Sequence, residues 1–238
     1  MPIFDLDIPD SLTGPQLDLY LSRGWYRMRQ TLFTTSGIWN EEETEFRPVY
    51  WLRFPVDEIR EHRSHRAIRK KNSRFRVEYA EEFRADYHDH LLYFMYVIKS
   101  PFDSYQSIDD ALYNACEKDI FHTKAIRIWD VNRLIAAGIF DAGQTALASI
   151  LHFYDPAYAS HSLGKYLMLL TIDYMKRRGY TFYYPGYVVR GNPRFDYKLF
   201  LGKEAAYFFN TESQAWDPFR DELLISEQTL HLVHDAGN

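Results

Sequence analysis

Cysteine is almost absent from this chain of 238 residues. The single one, Cys116, excludes an internal disulfide and any zinc or iron–sulfur site built only from cysteines of one chain. The first ten residues, MPIFDLDIPD, lack the basic and apolar blocks of a secretory signal. No apolar run approaches the roughly 20 residues of a membrane-spanning helix. These absences favour a cytoplasmic protein with no membrane segment and no metal cluster.

Positive charge is scarce overall but concentrated in one place. The chain has a net charge of −5, while residues 60–76, REHRSHRAIRKKNSRFR, hold eight Lys or Arg and one Glu, so the stretch carries +7 and the rest −12. Such a block is either a solvated helix face with acidic neighbours or a binding surface for phosphates. A helix would place five of its cations on one face: Arg60, Arg63, Arg66, Lys70 and Arg74.

Hydrophobic periodicity predicts helices and strands in a mixed order. Proline and glycine mark the ends of the first helix, and the polar segment 35–46 is typical of a loop. The predicted helices span residues 11–24, 60–76, 81–98, 107–115 and 163–178. The predicted strands span residues 25–33, 50–56, 125–131, 133–140, 145–154 and 181–189.

The sharpest local pattern is a strand, the segment DPAYASHS, the helix LGKYLMLLTIDYMKRR, Gly179 and a second strand. A strand–helix–strand unit implies a right-handed crossover between parallel strands. Antiparallel strands leading into one such crossover predict an α+β or α/β fold, with a mixed sheet flanked by helices as in acyl-CoA N-acyltransferases (the GNAT fold). We divide the chain into an N-terminal segment, 1–80, packed on a transferase domain, 81–238.

Three blocks resemble one family, the aminoacyl-tRNA–protein transferases. They are YLSRGWYRMRQTLF (20–33), RFPVDEIREHRSHRAIRKKN (53–72) and YDPAYASHSLGKYLMLLTIDYMKRRGYTFYYPGYVV (154–189). The family has close equivalents of Asp155-Pro156, of Ser162-Leu163-Gly164 with Tyr166, and of Gly186-Tyr187. A later element, RFDYKLF (194–200), is weakly similar.

The resemblance implies an enzyme that moves arginine or leucine from charged tRNA to the α-amine of proteins with an acidic first residue, Asp or Glu. The product would be a destabilising N-terminus read by a degradation system. Family members commonly carry cysteines before the basic block, but FRPVYWLRFP (46–55) has none. A cluster-dependent activity is therefore not expected, and no cofactor is expected besides aminoacyl-tRNA as co-substrate.

An aminoacyl ester is already activated, so proximity and mild help with deprotonating the amine would suffice, without a nucleophilic side chain. The residues expected to bind tRNA are Arg60, Arg63, His65, Arg66, Lys70, Lys71, Asn72 and Arg74. The start of the long helix, at Ser162, Gly164 and Lys165, is expected to hold an anion, although Gly164 would equally suit close packing on the sheet.

The remaining candidates follow from the same resemblance and each has a structural alternative. Asp155 and Tyr187 are the catalytic candidates, although Asp155 would equally cap the turn before Pro156. The acceptor or aminoacyl pocket is assigned to Tyr154, Tyr184, Arg190, Arg194 and Lys198. For these residues, packing of the tyrosines and surface placement of the cations are the alternatives.

Two other functions stay open on the sequence. An acyl-CoA-dependent N-acetyltransferase would share the helix start near Gly164, but SHSLGKY supplies one glycine where the Gln/Arg-x-x-Gly-x-Gly/Ala run has more. A non-catalytic relative would bind charged and uncharged tRNA alike and transfer nothing.

Overall fold

The computed structural model describes residues 3–40, 45–99, 105–113 and 118–225. Cys116 and the end of the helix predicted over 107–115 lie outside these ranges. Within them, no helix is long and apolar enough to cross a membrane. The helices are α1 (Gly14–Ser22), α2 (Arg63–Asn72), α3 (Tyr87–Lys99), α4 (Ile108–Leu112) and α5 (Leu163–Arg178).

Twelve strands are present in the described ranges, and two sheets contain them. The first six are β1 (Phe4–Asp7), β2 (Tyr26–Met28), β3 (Thr31–Thr35), β4 (Gly37–Asn40), β5 (Glu45–Pro55) and β6 (Arg76–Ala80). The last six are β7 (Thr123–Asp130), β8 (Arg133–Ala142), β9 (Ala146–Tyr154), β10 (Phe182–Val189), β11 (Tyr207–Asn210) and β12 (Ala215–Pro218).

The larger sheet is mixed, as predicted. In the described part of the chain it has nine strands in the order β12-β11-β5-β10-β9-β8-β7-β6, with β4 paired to β5. Its neighbours are antiparallel except for β9 and β10, which are parallel and joined by the crossover helix α5. The predicted fold class, a mixed sheet flanked by helices, is confirmed.

The crossover helix has the predicted bounds because its signals are local. It begins after Ser162 and ends before Gly179, which has φ +76°. Ten of its sixteen residues are buried, from Leu163 to Met175. The helix therefore anchors the core cluster that also contains Phe54, Phe140 and Tyr183.

The sheet includes strands from both parts of the predicted division. β5 and β6 precede residue 81, yet β5 lies between β10 and β11, and β6 pairs with β7. The smaller sheet, β1-β3-β2, and α1 pack with β10 and β11 in a second core cluster that includes Leu21, Trp51 and Phe209.

Some predicted boundaries differ from the structure for identifiable reasons. The helix predicted over 81–98 begins only at Tyr87, because the Asp86 carboxylate accepts from the N–H groups of His88 and Asp89 and caps that start. The strand predicted over 25–33 is the hairpin of β2 and β3, with Arg29 at φ 59° in its turn. The loop predicted over 35–46 contains β4.

The basic run forms a shorter helix than predicted. α2 begins at Arg63 and ends at Asn72, so Arg60 and Arg74 lie outside the helical face that the spacing implied. Ile68 packs against the main core cluster. Ala67 is exposed.

Candidate active site

The two parallel strands at the centre of the sheet separate soon after they begin. β9 and β10 pair only at Phe182 with Ala146, Tyr183 with Leu147, and Tyr184 with Ala148. A register shift between Tyr183 and Gly186 against β5 bends β10 further. The strands diverge beyond these three pairs, and the gap between them is the candidate active site.

Two adjoining cavities occupy this gap. The first, the aromatic cavity, has a volume of about 400 Å³ and is lined by side chains such as Phe33, Trp51, Tyr183 and Tyr187. The second, the helix-start cavity, has a volume of about 460 Å³ and reaches Ser162, Gly164 and Lys165. The two share four lining residues: His152, Phe195, Tyr197 and Lys198.

Lys198 lies in the wall common to both cavities. Its Nζ donates a hydrogen bond of 2.7 Å to the backbone carbonyl of Tyr187. The same nitrogen lies 5.0 Å from the ring centroid of Tyr187 and 4.9 Å from that of Phe195. Burial, with a smaller contribution from Arg194, lowers the pKa of the Lys198 amine to about 7.

His152 faces Lys198 from β9. Its Nε2 lies 3.0 Å from the Ser149 hydroxyl. Burial, followed by the nearby charge of Lys198, lowers the pKa of the imidazole to about 4. The ring is therefore neutral at physiological pH, and its hydrogen bond to Ser149 fixes its orientation.

The lining of both cavities is cationic and aromatic. Among the described residues, neither lining includes an aspartate or a glutamate, whereas Lys165, Arg194 and Lys198 contribute positive charge. Arg27 and Arg29 also reach the aromatic cavity, but Arg27 pairs with Asp141 at 2.8 Å and Arg29 with Asp110 at 2.9 Å. The gap between the strands is suited to an apolar group and to an anion.

The two predicted catalytic residues differ in where they lie. Tyr187 lines the aromatic cavity, with its ring 4.9 Å from Trp51 in an edge-on contact. Asp155 is buried outside both linings, where its carboxylate accepts from the N–H of Ala157 at 3.0 Å and pairs with Arg133. The geometry corresponds to the turn-capping alternative, so Asp155 is withdrawn from the catalytic group.

Three of the five predicted pocket residues line the gap. Tyr154 and Arg194 reach the helix-start cavity, and Lys198 reaches both cavities. Tyr184 belongs to neither lining, and its ring contacts Trp216. Arg190 lies away from the gap and donates to the Tyr50 hydroxyl and the Leu223 carbonyl, so these last two residues are corrected to structural positions.

The predicted anion site is open to ligands. Ser162, Gly164 and Lys165 line the helix-start cavity at the first turn of α5. A Cβ added to Gly164 would meet no atom within 4 Å, so close packing on the sheet does not account for this glycine. Unsatisfied N–H groups and the helix dipole at such a start favour an anion.

The predicted tRNA-binding residues fall into two groups. Six are exposed: Arg60, Arg63, Arg66, Lys70, Lys71 and Arg74. The other two face inward, His65 with 2% of its surface exposed and Asn72 with none. Their polar atoms contact the Phe200 carbonyl and His161, so phosphates cannot reach them, and we withdraw both from the predicted tRNA surface.

Internal contacts connect α2 to the start of α5. Lys71 donates to the Ser160 carbonyl, and the Asn72 amide donates to the His161 carbonyl at 3.0 Å. Arg69 pairs with Asp173 on α5 and with Glu61. The exposed cations of α2 therefore sit on a helix that is fixed against the turn before the helix-start cavity.

Sequence reasoning did not single out His152, Ser149 or Tyr197. The first two belong to a strand, TALASILHFY, whose apolar pattern gives no sign of a polar site. They become site residues because β10 diverges from β9 at that level. Within the described ranges, no three His, Cys, Asp or Glu side chains are grouped as a metal site requires, and the expectation of no metal stays a prediction.

The gap in the sheet offers two adjoining cavities, one lined mainly by aromatic rings and one at the start of a helix. A family model described as the C terminus of arginine-tRNA-protein transferase matches residues 70–206, which is more than half of the chain. The chain belongs to this family and is an aminoacyltransferase that acts with tRNA on protein.

Curated relatives carry one shared name. An aspartate/glutamate leucyltransferase of Leptospira interrogans is 23% identical over 81% of this chain and 74% of its own length. The enzymes of that name from Hyphomonas neptunium and Aeromonas salmonicida are 36% and 39% identical over shorter stretches. These stretches cover 37% and 28% of this chain, and 34% and 28% of the relatives.

Solved structures show a more distant likeness. L-PGS from Bacillus licheniformis matches with a TM-score of 0.43 and 13% identity over 72% of this chain and 49% of that one. A GCN5-related glucosamine N-acetyltransferase region of a fungal β-N-acetylglucosaminidase matches with a TM-score of 0.37 and 12% identity, over 76% and 21% of the two chains. The assignment to the family rests on the sequence.

Proposed function

We propose that this protein transfers leucine from charged tRNA to the N-terminal α-amine of proteins whose first residue is Asp or Glu. One observation carries the proposal: the two cavities are lined by cations and aromatic rings, without a carboxylate among the described residues. The leucyltransferase names of the relatives agree with it. The cytoplasmic location stays a prediction.

The donor follows from the charge of the aromatic cavity. An arginyl side chain would bring a guanidinium to a wall where no described residue offers an anionic partner. Removing a cation from water without a partner costs several kcal/mol. A leucyl side chain meets Phe33, Met168 and the tyrosine rings instead, where burying its apolar surface is favourable. Leucine is therefore favoured over arginine.

The acceptor follows from the helix-start cavity. Arg194 lines it and would attract the side-chain carboxylate of an N-terminal Asp or Glu. An acceptor with a neutral first residue would lack this charge-assisted contact, so acidic acceptors are favoured. Predicted partners are therefore charged tRNA and acidic N-termini.

The tRNA would be held in two places. The exposed cations of α2 offer phosphate contacts that carry no sequence information. Lys165 and the start of α5 offer a second anion site for the 3′ end next to the reacting groups. The helix that carries the first site is fixed to the turn before the second, so one tRNA would reach both.

The direct test is a transfer assay. Purified protein is incubated with tRNA charged with leucine or with arginine and a peptide beginning with Asp, and the intact peptide mass is followed. We expect a gain of one leucyl residue, a much smaller arginyl gain, and little transfer to the same peptide beginning with Ala. Acetyl-CoA serves as the control donor.

Three results would contradict the proposal. An acetyl-sized gain would make the protein an acyl-CoA-dependent N-acetyltransferase. A dominant arginyl gain would refute the argument from the charge of the aromatic cavity. No transfer with any donor, under conditions where charged and uncharged tRNA bind equally, would make it a non-catalytic tRNA-binding relative.

A further inference from the structure

Lys198 is one of the four described residues that line both cavities. If leucine lies in the aromatic cavity and the acceptor's first residue in the helix-start cavity, the ester carbonyl and the α-amine meet at this shared wall. We propose that Lys198 is the general base that removes a proton from the acceptor's α-ammonium group. This inference rests on the proposed function and names the group that starts its chemistry.

The surroundings of the amine hold it in one place. Its hydrogen bond to the Tyr187 carbonyl uses one N–H, and the Lys198 side chain lines both cavities. The rings of Tyr187 and Phe195 border it, and a Cβ on Gly186 would come within 3.3 Å of Nζ. A neutral amine bound through one N–H keeps its lone pair available to accept a proton.

The charges around Lys198 favour its neutral form. The ionisable groups that line the helix-start cavity beside it are Arg194, Lys165, His152, Tyr96, Tyr154 and Tyr197. In the aromatic cavity Arg27 and Arg29 add positive charge, already paired. Burial raises the pKa of Tyr26, Tyr183 and Tyr187 there, which keeps these phenols uncharged. Burial is the main cause that brings the pKa of the amine to about 7, and Arg194 adds to it.

The pKa of the Lys198 amine suits a general base for an α-ammonium group. A free α-amine has a pKa of about 8, so most acceptor molecules are protonated at pH 7 and cannot attack an ester. A base whose pKa lies near the working pH is present in its active form and still accepts the proton readily. His152 does not fit this role, because burial lowers the pKa of its ring to about 4.

The proton balance is complete without a cofactor. Neutral Lys198 takes one proton from the α-ammonium, and the freed amine attacks the ester carbonyl to form the C–N bond. As the C–O bond to the tRNA breaks, the second proton of the attacking nitrogen ends on the 3′ oxygen, which leaves as a hydroxyl. Lys198 then releases its proton to solvent, so each transfer yields one amide, one free tRNA and one proton.

The test uses two substitutions that distinguish a role of Lys198 as a general base from a role as a positive charge. Lys198→Met keeps an unbranched apolar side chain that is one atom shorter and removes the amine. Lys198→Arg keeps the positive charge but cannot accept a proton at neutral pH. Lys203→Met is the matched control, because Lys203 is an exposed lysine that pairs with Asp221 away from the cavities. The rate at saturating charged tRNA and acceptor is measured from pH 5.5 to 9.5.

For the wild-type protein and Lys203→Met, we expect the rate to rise with pH through an inflection near 7. Both Lys198 variants should lose about 100-fold at pH 7, the lower end of a general-base contribution. Their remaining rate should follow the ionisation of the acceptor amine near pH 8. Lys198→Arg should still prefer the Asp peptide over the Ala peptide, and charged tRNA should bind all variants alike.

Two outcomes would overturn the inference while leaving the proposed function intact. One is a Lys198→Arg variant that keeps its rate within about threefold. The other is a Lys198→Met variant that loses only its preference for Asp, with its pH profile unchanged. Should Lys198→Met fail to fold in thermal unfolding, Lys198→Arg decides alone. A wild-type protein that transfers nothing from any charged tRNA would instead remove the proposed function, and the inference with it.

Discussion

Replacing Gly186 with alanine should damage transfer far more than folding. Gly186 has φ +94°, where a side chain is strained by about 1–2 kcal/mol. A strain of that size lowers the unfolding temperature of a chain this long by roughly 2–8 °C. In addition, the new Cβ would lie 3.3 Å from Lys198 Nζ, which is tighter than an ordinary contact, so the amine must shift by a few tenths of an ångström.

That small shift occurs where the reaction would take place. It disturbs the 2.7 Å hydrogen bond that holds Lys198 to the Tyr187 carbonyl. Misplacing a reacting group by about 1 Å can reduce a rate by about 100-fold, so we expect a loss of about tenfold for this smaller movement. The rate of leucyl transfer and the unfolding temperature are measured on the same preparation.

Gly179→Ala is the matched control. Gly179 also has positive φ, +76°, but a Cβ there meets no atom within 4 Å. It should lose a similar amount of stability, because the backbone strain is alike, and retain its transfer rate. Equal rate losses in the two variants, or full activity in Gly186→Ala, would refute the assignment of the wall around Lys198 as the reaction centre.

Two further predictions concern the tRNA surface and acid stability. Replacing Arg63, Arg66 and Lys70 with Glu should weaken the binding of charged tRNA. It should also reduce the magnitude of the slope of log affinity against log salt concentration by at least about 2, as measured by titration at several salt concentrations. An unchanged affinity at low salt would contradict the assignment of these residues to the tRNA surface. Lys124, together with Tyr174 and Arg178, lowers the pKa of the Glu81 carboxyl from 4.5 to about 2. The ionised Glu81 carboxylate therefore stabilises the folded state fully above pH 4.5, and this contribution is lost as the pH falls toward 2. Thermal unfolding of Glu81→Gln should lack this acid-dependent loss, and a parallel decline in both proteins would disprove the role of Glu81.

The parts of the fold that depend on local sequence were predicted best. α5 was predicted with its observed bounds, because a helical apolar pattern ends at a glycine that accepts positive φ. The strands predicted over 125–131, 133–140 and 145–154 correspond to β7, β8 and β9, because their apolar pattern is local. β4 and the start of α3 were placed less well, since pairing with β5 and the cap at Asp86 decide them.

The basic run shows what charge spacing can and cannot predict. The exposed positions Arg63, Arg66 and Lys70 do share one side of a helix, as their spacing indicated. The spacing did not show that His65 and Asn72 lie on the opposite side, since their surroundings come from residues more than 80 positions away. A polar residue in a basic run is thus not automatically part of its surface.

The candidate site was predicted only in part, because it is assembled from distant segments. Tyr154, Tyr187, Arg194 and Lys198 were expected at the site and line the gap. His152 was missed, and Asp155 was assigned a role that its capping hydrogen bond does not support. Which of these positions line the site depends on where β9 and β10 diverge. That divergence is set by tertiary structure, and no local sequence pattern indicates it.

Tyr26 shows how the protein tolerates an opening in the middle of its sheet. Its hydroxyl donates to the backbone carbonyl of Ser149 at 2.5 Å and lies 2.7 Å from the backbone carbonyl of Tyr184. Ser149 belongs to β9 and Tyr184 to β10, the two diverging strands. Where the two strands separate, a side chain of the N-terminal segment thus provides a hydrogen-bond partner for carbonyls of both strands. A fragment that begins after residue 80 would lose these two hydrogen bonds as well as β5. The N-terminal segment also supplies Phe33 and Trp51 to the lining of the aromatic cavity, so it is part of the candidate site and cannot be exchanged as an independent adaptor.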